Sequence, residues 1–152
     1  MTIIILASAL MLLLTATTHY EALSLLNALL PGLTTVPRRL KVLVVLVVVF
    51  AAHVAEMLLY ALAYRGLSQV AGAGTLSAGA AHSFVSCLYF SAETFTSLGF
   101  GDVTPTGPVR LLAGMEALNG LLLVGWSASY IHLAMDRFWG DRRVPVETLR
   151  VD

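Results

Sequence analysis

Charge is scarce in this sequence. Only 12% of its 152 residues are Asp, Glu, Lys or Arg, half of the ~25% usual in a soluble domain. Nine basic residues balance nine acidic ones, so there is no basic surface for nucleic acid and no long charged tail. A single cysteine, Cys87, excludes an intrachain disulfide and any multi-cysteine metal site. What fills the chain instead is apolar: 58% of residues are hydrophobic and mean hydropathy is +0.84. That balance indicates a bilayer protein. At about 20 apolar residues per span, the length accommodates three or four spans, and no sizeable soluble domain is expected beside them.

The few charges are unevenly placed. Arg38, Arg39 and Lys41 form one basic cluster, and Arg137, Arg142, Arg143 and Arg150 form another; only Arg65 and Arg110 lie elsewhere. Positive flanks stay in the cytoplasm. Residues 34–41 and the tail after Met135 are therefore predicted inside, and the stretch around 65–110 outside.

Four apolar tracts lie between these markers. The first, Ile3 to Leu30, ends at Pro31-Gly32 and becomes more polar from Thr15 to Glu21. Met1-Thr2 offers no basic n-region for a cleaved signal peptide. A retained helix with an external N-terminus is expected, longer than the ~30 Å hydrocarbon core. Its last turns, Ala22 to Leu30, are expected along the inner interface, with a broken helix or signal anchor as the alternative. The second tract, about Leu40 to Tyr64, contains the valine-rich run Val42–Phe50. Such a run resembles a strand, but an open strand cannot satisfy its backbone in lipid, so a helix is predicted. Gly66 to Ala81 reads as a small-residue loop. The third tract, His82 to Thr96, is too short to span and reads as buried or re-entrant. The fourth, Pro108 to Met135, is a full span with Pro108 in its first turn.

Between the third and fourth tracts stands Tyr89-Phe90-Ser91-Ala92-Glu93-Thr94-Phe95-Thr96-Ser97-Leu98-Gly99-Phe100-Gly101-Asp102. This run resembles the pore helix and selectivity filter of potassium channels, most closely the bacterial two-transmembrane type. The family's T-V-G-Y-G-D reads S-L-G-F-G-D here. The family often carries a Glu nine residues before the filter Asp, as Glu93 stands before Asp102. The resemblance covers about residues 40–136 and leaves the N-terminal helix outside. It implies a homotetramer in an all-α membrane fold: a transmembrane helix, a re-entrant pore helix, a selectivity filter and a second transmembrane helix, preceded by one extra N-terminal helix.

The chemistry of such a run can be argued from its residues. A dehydrated cation needs stacked oxygen ligands, which successive backbone carbonyls aimed at one axis can supply. That geometry demands unusual dihedrals, and glycine reaches positive φ at low cost. Gly99 and Gly101 alternate with Leu98 and Phe100 as required. The expected K⁺ ligands are the carbonyls of Ser97, Leu98, Gly99 and Phe100, with Gly101 completing the ribbon and the Ser97 hydroxyl at its inner mouth. The competing reading is a plain glycine-rich turn, which the flanking topology disfavours. Two departures from the family bear on selectivity: Phe100 lacks the usual Tyr hydroxyl, and Leu98 replaces Val or Ile. The resemblance further implies that Tyr89, Glu93, Thr96 and Asp102 support the filter, that Tyr89 contacts Asp102, and that Glu93 and Asp102 share a proton.

In the last tract, Gly120 and Gly125 align with the family's bending region. Mid-helix glycine costs about 1 kcal/mol and permits bending, although small residues also serve close helix packing in membranes. Both roles stay open for Gly120; packing is favoured for Gly125. Leu121, Val124, Ala128, Ser129 and His132 then share the pore-facing stripe, with Ser129 and His132 near the inner gate. Protonation of four His132 imidazoles would favour opening, against a neutral interfacial histidine. Ionisable residues inside spans are functional candidates by default, and His53, Glu56 and Glu116 qualify. The leading expectation is one buried polar network behind the pore helix. A metal site there is not expected, for want of a second histidine near His53. Cys87 is expected to be packing, and no enzymatic constellation is present.

The sequence thus predicts a tetrameric channel conducting K⁺ passively across a cell membrane, needing no cofactor beyond the permeant ion. Its partners are its own copies and the bilayer; its C-terminus is cytoplasmic and its N-terminus external. Residues 1–33 form the extra helix, 34–136 the pore domain and 137–152 a short cytoplasmic tail too small for a sensor. The alternatives are a weakly selective K⁺/Na⁺ channel and a non-conducting membrane subunit or scaffold.

Overall fold

A computed structural model of the chain describes residues 1–139. The tail expected at 137–152, with Arg142, Arg143 and Arg150, falls outside the described residues beyond Trp139. Four α-helices carry the architecture: α1 (Thr2–Leu29), α2 (Arg38–Leu67), α3 (Phe84–Phe95) and α4 (Val109–Trp139). Three of them, α1 with its 3₁₀ extension through Gly32, α2 and α4, are long and apolar enough to cross a membrane. The fold is an all-α membrane bundle, and the valine run of α2 is helical.

The three long helices pack mutually, α1 against both α2 and α4. Near one end, Ile4 of α1 joins Tyr60, Tyr64 and Leu67 of α2 and Val109 and Leu112 of α4 in a common core. Near the other, Leu23, Leu26 and Leu30 meet Val45, Val49 and Ala134. The helix is thus antiparallel to α2 and parallel to α4. This corrects the expectation for its last turns: α1 is one unbroken helix, and Leu23 and Leu26 stay buried in the bundle. Leu23, Leu26 and Leu30 find apolar partners on both neighbours, so these turns have no reason to lie flat at an interface. Lys41 closes the same end by donating to the carbonyl of Leu30 at 2.7 Å.

Helix α3 is shorter than the tract that suggested it. Ser83 caps it, its hydroxyl accepting from the Ser86 amide at 3.3 Å; such caps satisfy amides that the first turn leaves unpaired. The small-residue loop before it is more ordered than its composition implied. Thr75–Leu76 (β1) pairs antiparallel with Pro105–Thr106 (β2), Thr75 opposite Thr106, and a 3₁₀ turn covers Ser77–His82. Gly74 adopts φ +94°, and a side chain there would run into the Thr106 carbonyl. The amide of Val109 donates to Ala73 at 2.9 Å, so the start of α4 is tied to the same loop. The segment between α3 and β2 is therefore held at both ends.

Candidate functional site

Helix α3 ends at Phe95, and the chain then changes dihedral sign residue by residue. Ser97, Gly99 and Gly101 have φ of +58°, +56° and +84°, while the intervening Leu98 and Phe100 remain at negative φ. Glycine takes this conformation freely; for Ser97 it costs about 1–2 kcal/mol, which the sequence did not announce. Glu93 holds the ribbon from behind. Its carbonyl accepts from the amides of Leu98 (2.8 Å) and Gly99 (3.3 Å), and its carboxylate Oε2 accepts from the Phe100 amide at 3.0 Å. In a planar trans peptide each N–H opposes the preceding C=O. Three consecutive amides turned toward Glu93 therefore turn the carbonyls of Ser97, Leu98 and Gly99 the other way. Thr96 anchors the start, its hydroxyl donating to the Ala92 carbonyl at 2.7 Å.

At the outer side, the Tyr89 hydroxyl donates to Asp102 Oδ1 at 3.1 Å, and the Tyr89 ring stacks on Phe100 with centroids 6.4 Å apart. The shared proton expected between Glu93 and Asp102 does not match this arrangement. The Glu93 carboxylate is engaged by the Phe100 amide and Asp102 by Tyr89, and no hydrogen bond joins the two carboxyls. Glu93 Oε1 is the one buried side-chain oxygen or nitrogen without a partner among the described residues. Leu98 and Phe100 leave 64% and 67% of their surface exposed, so a single chain does not cover the ribbon's side chains.

Gly120 of α4 lies directly against the end of α3. A methyl group there would meet the Phe95 backbone, with Phe95 Cα 3.1 Å away and the carbonyl closer still. Close approach is thus its role within one chain. Gly125 has open space around it, so the packing favoured for it finds no neighbour within the chain. Leu121, Val124, Ala128, Ser129 and His132 all lie on exposed positions of α4. The Ser129 hydroxyl bonds back to the Gly125 carbonyl at 3.2 Å, and His132 Nε2 lies 3.7 Å from Asp136 one turn on.

The polar residues inside the spans separate into three buried groups rather than one network. Glu116 sits behind α3, where Tyr64 donates to its Oε2 and Ser91 lies 2.5 Å from Oε1. Asn119 donates to Thr15 at 2.7 Å and to Tyr60 at 3.2 Å. His53 and Glu56 belong to a third group, with Nδ1–Oε2 at 2.8 Å. The expectation that His53 has no imidazole neighbour fails. His19 of α1 stacks on it at 5.2 Å and bonds Glu56 Oε1 through Nδ1 at 2.9 Å. Ser127 of α4 lies within reach of both Nε2 atoms. The available signal was the one that flagged His53, an ionisable side chain inside an apolar tract; His19 fell in the stretch read as a polar transition. Cys87 is buried, its Sγ 3.7 Å from the carbonyls of Ala80 and Ala81.

A family model described as "Ion channel" matches residues 42–136, from the second turn of α2 almost to the end of α4. No curated protein and no solved structure matches the chain.

Proposed function

The chain belongs to the ion-channel family, and from that premise we propose that four copies form a pore conducting K⁺ passively across a cell membrane. Helix α3 is its pore helix and residues 97–101 its selectivity filter. Each chain contributes the carbonyls of Ser97, Leu98, Gly99 and Phe100 as ion ligands; Tyr89, Glu93, Thr96 and Asp102 brace them. The observation that carries this reading is the alternation of φ sign from Ser97 to Gly101, with the amides of residues 98–100 gathered on Glu93. A plain turn has no use for three successive carbonyls sent to one open side, whereas a dehydrating cation needs them. The exposed Leu98 and Phe100 then find their packing partners in the adjacent copies.

Arg38, Arg39, Lys41 and Arg137 gather at one end of the bundle: the Arg38 guanidinium reaches the Arg137 carbonyl at 3.4 Å and the Trp139 indole donates to Arg39 at 3.1 Å. By charge bias that end is cytoplasmic, which sets the N-terminus outside. The exposed stripe from Leu121 to His132 faces the ion path below the filter. With Gly120 fixed against Phe95, Gly125 is the freer bending point, and Ser129 and His132 line the inner mouth.

The test is a recording from the full chain reconstituted in a planar bilayer with K⁺ and Na⁺ on opposite sides. A selective channel gives a reversal potential displaced strongly in the sense of K⁺ permeation. A reversal near zero identifies a weakly selective cation pore, and a tetramer without current identifies a non-conducting subunit; either overturns the proposal.

A further inference from the structure

His19, His53, Glu56 and Ser127 close a ring of four contacts in the middle of the bundle. Glu56 receives one imidazole on each oxygen, His19 Nδ1 at 2.9 Å and His53 Nδ1 at 2.8 Å. At the far side, His53 Nε2 and His19 Nε2 converge on Ser127 Oγ at 3.0 and 3.2 Å. The imidazoles stack at 30°; Trp126 covers the ring of His19 at 5.3 Å and Phe95 that of His53 at 5.6 Å. His19 and Glu56 are fully buried, and His53 keeps 16% of its side chain exposed.

Two features of the ring are unexplained by packing. First, a buried carboxylate needs a compensating cation, yet among the described residues no lysine or arginine pairs with Glu56. Second, the hydrogens do not suffice. Two neutral imidazoles and one hydroxyl supply three hydrogens for four contacts. With both Nδ1–H groups given to Glu56, one Nε2 lone pair faces the serine oxygen without a hydrogen between them.

We propose that His19, His53 and Glu56 bind a divalent transition-metal ion of the zinc type, clamping α1 to α2. One atom from each residue can be chosen so that all three lie within 4.8 Å of one another. Bonds of 2.0–2.2 Å in a tetrahedral site place ligand atoms about 3.3 Å apart. Each Nδ1 now lies 2.8–2.9 Å from its own Glu56 oxygen, so binding opens one contact slightly and draws the other imidazole toward the oxygen that takes the metal. Two imidazoles and a carboxylate make a borderline ligand set suited to zinc, and three protein ligands leave a position for solvent. Metal on both Nδ1 atoms moves each imidazole hydrogen to Nε2. Ser127 Oγ, with two lone pairs, then accepts both, and its own hydrogen can turn to the Leu123 carbonyl one turn back, as helical serines do. This fixes tautomer and ring orientation together, the usual task of a group behind a metal-binding histidine. His53 lines a groove of ≈ 530 Å³ with Ser127, Val49 and Val124, which supplies the access route. If a shared extra proton closes the ring instead, no metal binds.

The experiment needs no ion flux. Untagged full-length chain in detergent, stripped with a chelator, is titrated with Co²⁺ and followed by visible absorption, with Zn²⁺ competition and metal analysis. One ion per chain with tetrahedral d–d bands is expected, retained in His132→Gln and weakened more than about tenfold in His19→Asn and Glu56→Gln. Should those variants fail to fold, the melting temperature of the wild-type chain decides: Zn²⁺ raises it in a concentration-dependent way if the site exists. Binding no tighter than in a His19→Asn/His53→Asn double variant, or a melting temperature indifferent to Zn²⁺, overturns the proposal.

Discussion

The ribbon at residues 97–102 and the buried polar groups between the long helices solve opposite problems. In the ribbon the work is done by the backbone: a non-glycine residue sits at positive φ, large apolar side chains stay uncovered and a glutamate oxygen lacks a partner. Between the helices the backbone is ordinary helix and the work is done by side chains, each paired with a group from another helix. The first region leaves Leu98 and Phe100 uncovered within one chain. The second finds its hydrogen-bond partners inside the chain. Perturbing the ribbon should therefore change ion handling at little cost to folding, and perturbing the interior the reverse.

The sharpest test of that contrast is Gly99→Ala. Nothing lies within 4 Å of the added methyl, so crowding is absent and only the φ of +56° resists it. Loss of K⁺/Na⁺ discrimination in bilayer recordings is expected, with the melting temperature of the detergent-solubilised protein nearly unchanged. A Gly99→Ala channel with wild-type permeability would break the comparison at its first half.

Gly120→Ala is next in size and tests the junction of the two regions. The methyl meets the Phe95 backbone at the base of α3, and overpacking of this kind costs about 1–3 kcal/mol. Both a lowered melting temperature and altered conduction are expected, since the helix that carries the ribbon must shift. Tyr64→Phe confines the damage to the interior. It removes the hydroxyl that serves Glu116 and leaves a buried acceptor short of a donor, at about 1–3 kcal/mol. Thermal denaturation should show the loss while the K⁺/Na⁺ permeability ratio is kept. Gly125→Ala is the smallest change and opposite in sign. With open space around it, alanine gains up to about 1 kcal/mol of helix propensity, so the melting temperature rises slightly. If Gly125 is the bending point, channel open probability falls in the same variant.

How much of this was legible in the sequence follows from the range of each interaction. The long helices were readable because apolar length and flanking charge are properties of one segment. The segment Ser97–Asp102 was readable because its glycine spacing is local. Ser97 at positive φ was not, since serine gives no sign of it; the requirement comes from the amides drawn onto Glu93. The pairing of Thr75–Leu76 with Pro105–Thr106 is too short to leave an alternating pattern. His19 and Asn119 were missed for a different reason. Each is a polar residue in an apolar tract, but its partners stand on other helices, and no period along one helix names them. The same holds for Gly120, whose neighbour is a carbonyl on α3.

The contact of His19 with Glu56 and Ser127 also sets an order of events during synthesis. Glu56 follows His19 by 37 positions and Ser127 by 108. At about 5–20 residues per second, the carboxylate emerges about 2–7 s after the imidazole, and the serine only about 5–22 s after it. His19 thus enters the bilayer alone, waits a few seconds for an acidic partner on the next helix, and is joined by the last helix long afterwards. A hairpin of α1 and α2 held by that pair is the first long-range structure the nascent chain can form, before the ribbon at residues 97–102 has been made.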